Sequence, residues 1–256
     1  MKTKWSSEQM VDGIGRIGPR PHYHYLARAL QPQNTVLEVG CGPCHLYRYL
    51  TAAGIKADFS GCDLTSEMLA KGRETFPDMK LFECDVQNMS NVADNSYDWV
   101  VCSDVIIHVE RPFDGLAHLW RCTRGALLLV IRESTFPEDL VDIQRAYQTL
   151  DGVRYHYNVL NLERTVRRLR ELVPAPQAID IQRTEAIGWE TVGGRVLPFL
   201  PATHPLWSSS YVLLKDRSKV NWLGEGEHVF SKTSWLNRLA RKARYVTNLR
   251  NRWDDR

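Results

Sequence analysis

Short apolar runs alternate with amphipathic stretches along residues 34–132 of this 256-residue chain. The first run is Thr35 to Gly40, and the most apolar one is Ala126 to Arg132. The stretches between the runs, such as residues 66–75, have the length of short helices. Buried strands separated by helices are typical of a parallel sheet covered on both faces. The pattern therefore predicts a doubly wound α/β fold with a mostly parallel sheet.

The alternation changes beyond Arg132. Residues 133–176 are polar, and we interpret them as a helical insertion that forms a lid on the substrate side. Two later runs, 178–187 and 208–215, predict a sixth and a seventh strand. We therefore expect a seven-stranded sheet in a domain spanning 34–216, preceded by a cover or lid segment at 1–33.

Residues 217–256 are predicted to form a basic tail that contains an amphipathic C-terminal helix, because apolar residues recur three or four apart from Trp235 to Trp253. The stretch 231–256 holds eight Lys/Arg and two Asp, a local charge of +6, whereas the whole chain carries +3. The tail could pack on its own core, lie on an anionic membrane surface or touch nucleic acid. The mildly acidic remainder of the chain makes a nucleic-acid partner unlikely.

Composition favours a cytoplasmic protein, with peripheral membrane association through the tail as the alternative. No apolar run approaches the roughly 18 residues of a membrane span, and no apolar stretch follows the N-terminal lysines as in a signal peptide. The six cysteines lie in or beside predicted strands, which favours reduced thiols. Cys41 and Cys44 form a C-x-x-C motif, but no second pair completes a zinc site, so we expect no metal.

The turn Gly40-Cys41-Gly42 is the clearest chemical feature of the chain. Two glycines at the end of a buried strand let the backbone approach a ligand closely. Glu38 is an acid within that apolar strand, and a buried carboxylate needs a partner. A dinucleotide site would have a third glycine where this chain has His45, whereas Asp63 stands where a ribose-binding acid belongs. The turn therefore predicts a site for a ribose that is not optimised for a pyrophosphate.

Four motifs, in order along residues 34–132, resemble the class I S-adenosylmethionine-dependent methyltransferases, and more narrowly their small-molecule branch. They are E-V-G-C-G from Glu38, the acid Asp63, C-D-V from Cys84, and Y-D-W-V-V-C-S from Tyr97. The resemblance implies a Rossmann-like methyltransferase fold with S-adenosyl-L-methionine as cofactor. The cofactor-binding residues it implies are Glu38, Gly40, Cys41, Gly42, Asp63, Leu64, Met68, Asp85, Val86 and Ser103.

The same resemblance implies individual roles. Asp63 would accept both ribose hydroxyls, and Leu64 with Met68 would enclose the adenine. Asp85 would accept from the adenine amino group, with the backbone N–H of Val86 beside it.

The acceptor side offers candidates rather than a motif. Transfer from a sulfonium needs alignment and, for a hydroxyl acceptor, a base. His108 and His156 are our catalytic candidates, and other groups able to act as a base are Asp104, His22, His24 and Glu133. The predicted substrate contacts are Arg132, Glu133, Tyr23 and Tyr155.

The expected reaction is methyl transfer to a hydroxyl of a small molecule or sugar, with glycans and lipid-linked molecules among the acceptors considered. One alternative is N- or carboxyl-methylation of a specialised metabolite. Another is a non-catalytic protein that keeps the fold and is anchored to a membrane or a partner.

Overall fold

The computed structural model describes residues 20–150, 152–185, 195–196, 204–224 and 227–230. Its helices are α1 (Pro21–Ala29), α2 (His45–Ala52), α3 (Ser66–Thr75), α4 (Pro112–Cys122) and α5 (Leu162–Arg170), with a 3-10 turn at Ile106–His108. Its strands are β1 (Thr35–Val39), β2 (Asp58–Asp63), β3 (Lys80–Glu83), β4 (Tyr97–Ser103), β5 (Thr123–Ser134), β6 (Tyr147–Leu150), β7 (Val153–His156), β8 (Leu160–Asn161), β9 (Ala178–Glu185), β10 (Arg195–Val196), β11 (Leu206–Leu214) and β12 (Glu227–Phe230).

The main sheet has the order β12-β9-β11-β5-β4-β1-β2-β3, with β8 paired to β5, so it contains nine strands among the described residues. Strands β1 to β5 are mutually parallel, and β11 runs antiparallel to both β5 and β9. The α/β prediction is confirmed, and the seven predicted strands are all present. The two extra strands, β8 and β12, lie in segments that were interpreted as an insertion and a tail.

Register explains why the strand ends converge. Val39 at the end of β1 pairs with Cys62 in β2 and with Cys102 in β4. Because parallel strands in register finish together, the residues that follow them emerge at one edge of the sheet. This carboxyl edge therefore carries the Gly40 turn, Asp63 and Ser103.

Both faces of the sheet are covered by apolar side chains. Leu37, Val100 and Leu127 face one buried cluster, and their neighbours Val36, Val101 and Leu128 face the other. This alternation follows from the two-residue period of a strand and explains the continuous apolar runs in the sequence. Helix α1 contributes Leu26 and Ala29 to the second cluster, so the part of the predicted cover segment that the structure describes, from residue 20 onward, packs as part of the core.

The insertion is not the helical lid that the sequence suggested. Strands β6 and β7 form an antiparallel hairpin, which β10 extends to three strands, and the helix of this region is α5 alone among the described residues. Gly152 in the hairpin turn has φ +76°, a left-handed conformation that suits glycine. The polar composition concealed a short hairpin that lies beside the site.

The predicted tail begins later than residue 217. Val220 is buried against the second cluster, and β12 pairs with β9 in the sheet. The amphipathic pattern from Trp235 to Trp253 lies outside the described residues, so its membrane, packing and nucleic-acid interpretations stay predictions. Within the described residues, no helix has the length and apolar character needed to cross a membrane. All six cysteines are buried free thiols.

Glu133 belongs to a buried structural cluster and is not placed for substrate contact. Its neighbour Arg132 faces the opposite side of β5, because successive side chains of a strand alternate. The Tyr211 hydroxyl donates to Glu133 Oε1 at 2.5 Å, and Arg183 Nε lies 3.5 Å from Glu133 Oε2. Glu133 and Arg183 are at most 2% exposed, so each charge depends on the other.

Removing this carboxylate should destabilise the fold strongly. Glu133→Ala removes the carboxylate that faces the buried Arg183 guanidinium, and we expect a loss of about 3 kcal/mol or more in the free energy of unfolding measured in urea. The matched control is Glu138→Ala, which removes an exposed carboxylate 2.9 Å from Arg145 and should cost about 1 kcal/mol or less. Equal costs for the two variants would contradict a buried ion pair.

Candidate cofactor and acceptor site

A cavity of about 360 Å³ opens at the carboxyl edge of the sheet. Its wall contains all ten residues that the sequence assigned to the cofactor, which are Glu38, Gly40, Cys41, Gly42, Asp63, Leu64, Met68, Asp85, Val86 and Ser103. A cavity of this size is in the range of small-molecule sites. The strand ends of β1 to β4 thus contribute to one site, although they are separated by up to 65 positions along the chain.

The glycine turn after β1 is shaped by close packing on one side and open space on the other. Gly40 has φ +72°, and a Cβ there would lie 2.1 Å from Cγ2 of Val105. Gly42 has φ +50°, and a Cβ there would meet nothing within 4 Å. Since Gly42 lines the cavity, its bare backbone leaves room for a ligand beside it.

Asp63 holds this turn in place. Its Oδ2 accepts a hydrogen bond of 2.9 Å from the backbone N–H of Gly42, and its Oδ1 accepts one of 2.9 Å from that of Thr65. Each carboxylate oxygen can accept two hydrogen bonds, so both retain capacity toward the cavity. Asp63 therefore joins β2 to the turn and can still accept from vicinal hydroxyls such as those of a ribose.

Glu38 provides a buried carboxyl group at the same wall. Its side chain is 7% exposed, and its Oε2 has no hydrogen-bond partner in the described structure. Burial raises the pKa of this carboxyl well above its ordinary value. An unsatisfied buried carboxylate is costly, so a cationic ligand group in the cavity would be stabilised by it. Glu38, Gly42 and Asp63 together fit the amino acid and ribose parts of S-adenosylmethionine.

The far wall is apolar where the sequence placed the adenine. Met68 on α3 is 4% exposed and, with Leu64, lines the cavity. Asp85 accepts from the backbone N–H of Gln87 at 2.9 Å through Oδ1. This contact fixes the carboxylate at the cavity wall after β3.

Asp104, which directly follows Ser103, is the centre of a charged group in the cavity wall. Arg132 Nη1 donates to Asp104 Oδ1 at 2.6 Å and to Ser208 Oγ at 3.1 Å. Arg20 contacts the other oxygen of Asp104 and donates to Ser103 Oγ at 3.1 Å. Burial opposes ionisation, but Arg132 and Arg20 together lower the pKa of Asp104 below its ordinary value. Asp104 is therefore a stable anion and a weak base.

Two histidines line the cavity, His45 at the start of α2 and His108, and of these His108 is the catalytic candidate. Its Nδ1 lies 2.8 Å from the backbone oxygen of His156. A carbonyl oxygen only accepts hydrogen bonds, so Nδ1 carries the proton and Nε2 is the basic nitrogen. The hairpin thus fixes the tautomer of the catalytic candidate.

Two predicted acceptor-side residues are not part of the wall. The side chains of His156 and Tyr155 do not line the cavity, and His156 acts there through its backbone carbonyl. Gln148, which pairs with Tyr155 across the hairpin, lines the cavity in its place. The structure does not bring these two side chains to the cavity wall, because the segment is a hairpin and not the helix that the sequence suggested.

The N-terminal candidates divide in the same way. Tyr23 lines the cavity, as does Arg20, which the sequence analysis did not single out. His22 is buried outside the wall, and burial with the neighbouring Arg20 lowers its pKa to about 3, so it is neutral near pH 7. His24 Nδ1 is bonded to the Tyr49 hydroxyl at 2.7 Å, between α1 and α2. The sequence around Arg20 does not indicate that it belongs to the site, since its partners are more than 80 positions away along the chain.

Comparisons with known proteins agree with this geometry. Residues 37–131 match the family described as a methyltransferase domain. The malonyl-[acyl-carrier protein] O-methyltransferase of Pectobacterium atrosepticum is 32% identical over 130 residues, which are 49% of each chain. The match therefore spans about half the length of this curated relative.

Solved structures share the fold at low identity. A SAM-dependent methyltransferase from Methanosarcina mazei has a TM-score of 0.56 at 15% identity, covering 78% of this chain and 99% of that chain. A protein from Pyrococcus horikoshii has a TM-score of 0.51 at 16% identity, covering 84% and 95%.

The fold and the cavity together define a class I S-adenosylmethionine-dependent methyltransferase. Residues 37–131 of this chain are thus a methyltransferase domain, and S-adenosylmethionine is the cofactor of such domains that the cavity fits.

The cost of adding a side chain at Gly40 has two parts, its positive φ and the contact with Val105, and the two can be measured separately. Gly54 also has a positive φ, +77°, but a Cβ there would meet nothing within 4 Å. Gly54→Ala should cost about 1 kcal/mol of unfolding free energy, and Gly40→Ala about 3 kcal/mol or more, because the new methyl group must also displace Val105. Urea unfolding measures both costs, and equal values would show that Val105 yields without penalty.

Proposed function

We propose that the protein transfers a methyl group from S-adenosylmethionine to an oxygen of a small molecule or sugar, with glycans and lipid-linked molecules among the acceptors. The observation that carries this proposal is the convergence of Glu38, Gly42 and Asp63 on a cavity whose wall also contains His108. This proposal does not depend on the predicted contacts of the basic tail.

Each group in the wall has a defined task. S-adenosylmethionine, when bound, supplies an electrophilic sulfonium methyl group. Glu38 orients the adjacent positive charge, and Asp63 holds the sugar hydroxyls. His108 Nε2 accepts the proton of the attacking hydroxyl, while its Nδ1–H stays bonded to the carbonyl of His156. The rest of the rate gain comes from alignment, since the leaving group is already activated.

Carboxyl methylation is the second candidate. The relative that shares 32% identity is a malonyl-[acyl-carrier protein] O-methyltransferase. The group of Arg20, Arg132 and Asp104 carries one net positive charge, which suits an anionic acceptor. A carboxylate is already deprotonated and needs no base, so the two candidates differ in their dependence on His108.

Cofactor binding is the first test. Asp63→Asn should weaken S-adenosylmethionine binding at least about tenfold by calorimetry, because hydrogen bonds to a charged acceptor are lost. The control is Asp58→Asn, at the exposed start of β2, where the carboxylate pairs with Lys80 at 3.2 Å. Unchanged affinity in Asp63→Asn would contradict the ribose assignment, and absence of binding in the unaltered protein would refute the enzyme proposal.

The role of His108 is tested by turnover with an acceptor found in a metabolite screen. If the acceptor is a hydroxyl, His108→Gln should lower kcat about a hundredfold or more and remove the acidic limb of its pH profile. His118→Gln on α4 is the control, since this residue is outside the cavity wall. A change of less than about threefold in His108→Gln would exclude the base role and favour carboxyl methylation.

A further inference from the structure

A second cavity, of about 450 Å³, lies beside the first. Thr135, Glu163, Arg164 and Arg167 belong to its wall, and we call it the Arg164–Arg167 groove. Neither the predicted cofactor residues nor the acceptor candidates are part of it. The proposed reaction therefore leaves this groove without a function.

The two arginines of the groove are available to a ligand. Arg164 and Arg167 are exposed and make no ion pair within the described part of the chain. The nearby acids are already neutralised, since Glu138 pairs with Arg145 at 2.9 Å and Asp139 with Arg168 at 2.6 Å. Glu163 is the acid in the wall itself, so the lining carries one net positive charge.

The groove is also held in a fixed shape. Asn161 caps α5 by accepting from the backbone N–H of Arg164 at 2.8 Å. The same side chain donates to the carbonyl of Phe136 at 2.7 Å, which joins the helix to the segment after β5. Arg164 and Arg167 are three positions apart on α5 and thus project from the same face. Two guanidinium groups on a rigid frame match the oxygens of a phosphate or diphosphate better than a single lysine would.

The position of the groove relates it to the acceptor. Arg132 lines the first cavity and Thr135 the second, and both lie at the end of β5. Three residues of extended chain span about 10 Å. The chain that joins the two walls is thus short, which makes a molecule with a phosphate group remote from its reactive oxygen the kind of ligand that could contact both.

We propose that the Arg164–Arg167 groove binds a phosphate or diphosphate group of the methyl acceptor. This inference depends on the proposed function for the identity of the acceptor, but the anion site itself can be examined alone. Binding of the phosphate would place the remainder of the molecule toward His108. The acceptor would then be a phosphorylated or diphosphate-linked compound, selected at two separate points.

Inorganic pyrophosphate is the probe for a calorimetric titration of the full chain. The double variant Arg164→Gln/Arg167→Gln should weaken its binding at least about tenfold. Arg170→Gln is the matched control, because Arg170 is exposed on the same helix, has no ion pair in the described structure and is outside the groove. Its affinity should stay within about twofold of the unaltered protein. Glutamine retains the helix, and circular dichroism checks this for each variant.

Several results would overturn the proposal. One is that the unaltered protein does not bind pyrophosphate. Another is that the double variant and the Arg170→Gln control lose pyrophosphate affinity equally. A third is that the unaltered protein binds succinate as tightly as pyrophosphate. S-adenosylmethionine binding is measured on the same samples and should be unchanged in all variants. If the unaltered protein binds pyrophosphate through these arginines but does not bind S-adenosylmethionine, the methyl-transfer proposal fails while the anion site stands.

Discussion

The parallel register of β1 with β2 and β4 is the constraint on which the site depends. It places Val39, Cys62 and Cys102 side by side in neighbouring strands, so that the residues after them meet at one edge of the sheet. The hydrogen bond from the Gly42 N–H to Asp63 then converts this alignment into a fixed turn. A shift of the register by two residues would move Asp63 about 7 Å from the turn and separate the groups that surround the cofactor.

The acceptor end depends on contacts of a different kind. Asp104 follows β4, Arg132 lies in β5, Arg20 precedes α1, and Ser208 comes from β11. Mutual neutralisation lets these side chains lie in a partly buried position that none could occupy alone. The cofactor end therefore follows from backbone geometry, whereas the acceptor end follows from side-chain electrostatics between distant segments.

This difference explains what the sequence could predict. Gly40, Asp63 and Asp85 each stand at the end of an apolar run, and the runs are visible locally, so the fold and the cofactor wall were predictable. Tyr155 and His156 were misplaced because a short polar hairpin has little hydrophobic periodicity. Glu133 looked functional as a charge at a strand end, and its partners Arg183 and Tyr211 are 50 and 78 positions away. Long-range partners of this kind cannot be recognised in a single chain.

The hydrogen bond between His108 and the carbonyl of His156 links the hairpin to the reactivity of the site. Because the carbonyl determines which imidazole nitrogen carries the proton, the position of β7 governs whether Nε2 is basic. The same hairpin contributes Gln148 to the cavity wall. Sequence changes that reshape the hairpin thus alter the cavity wall and the tautomer of His108 at the same time, so these two properties of the site cannot diverge independently.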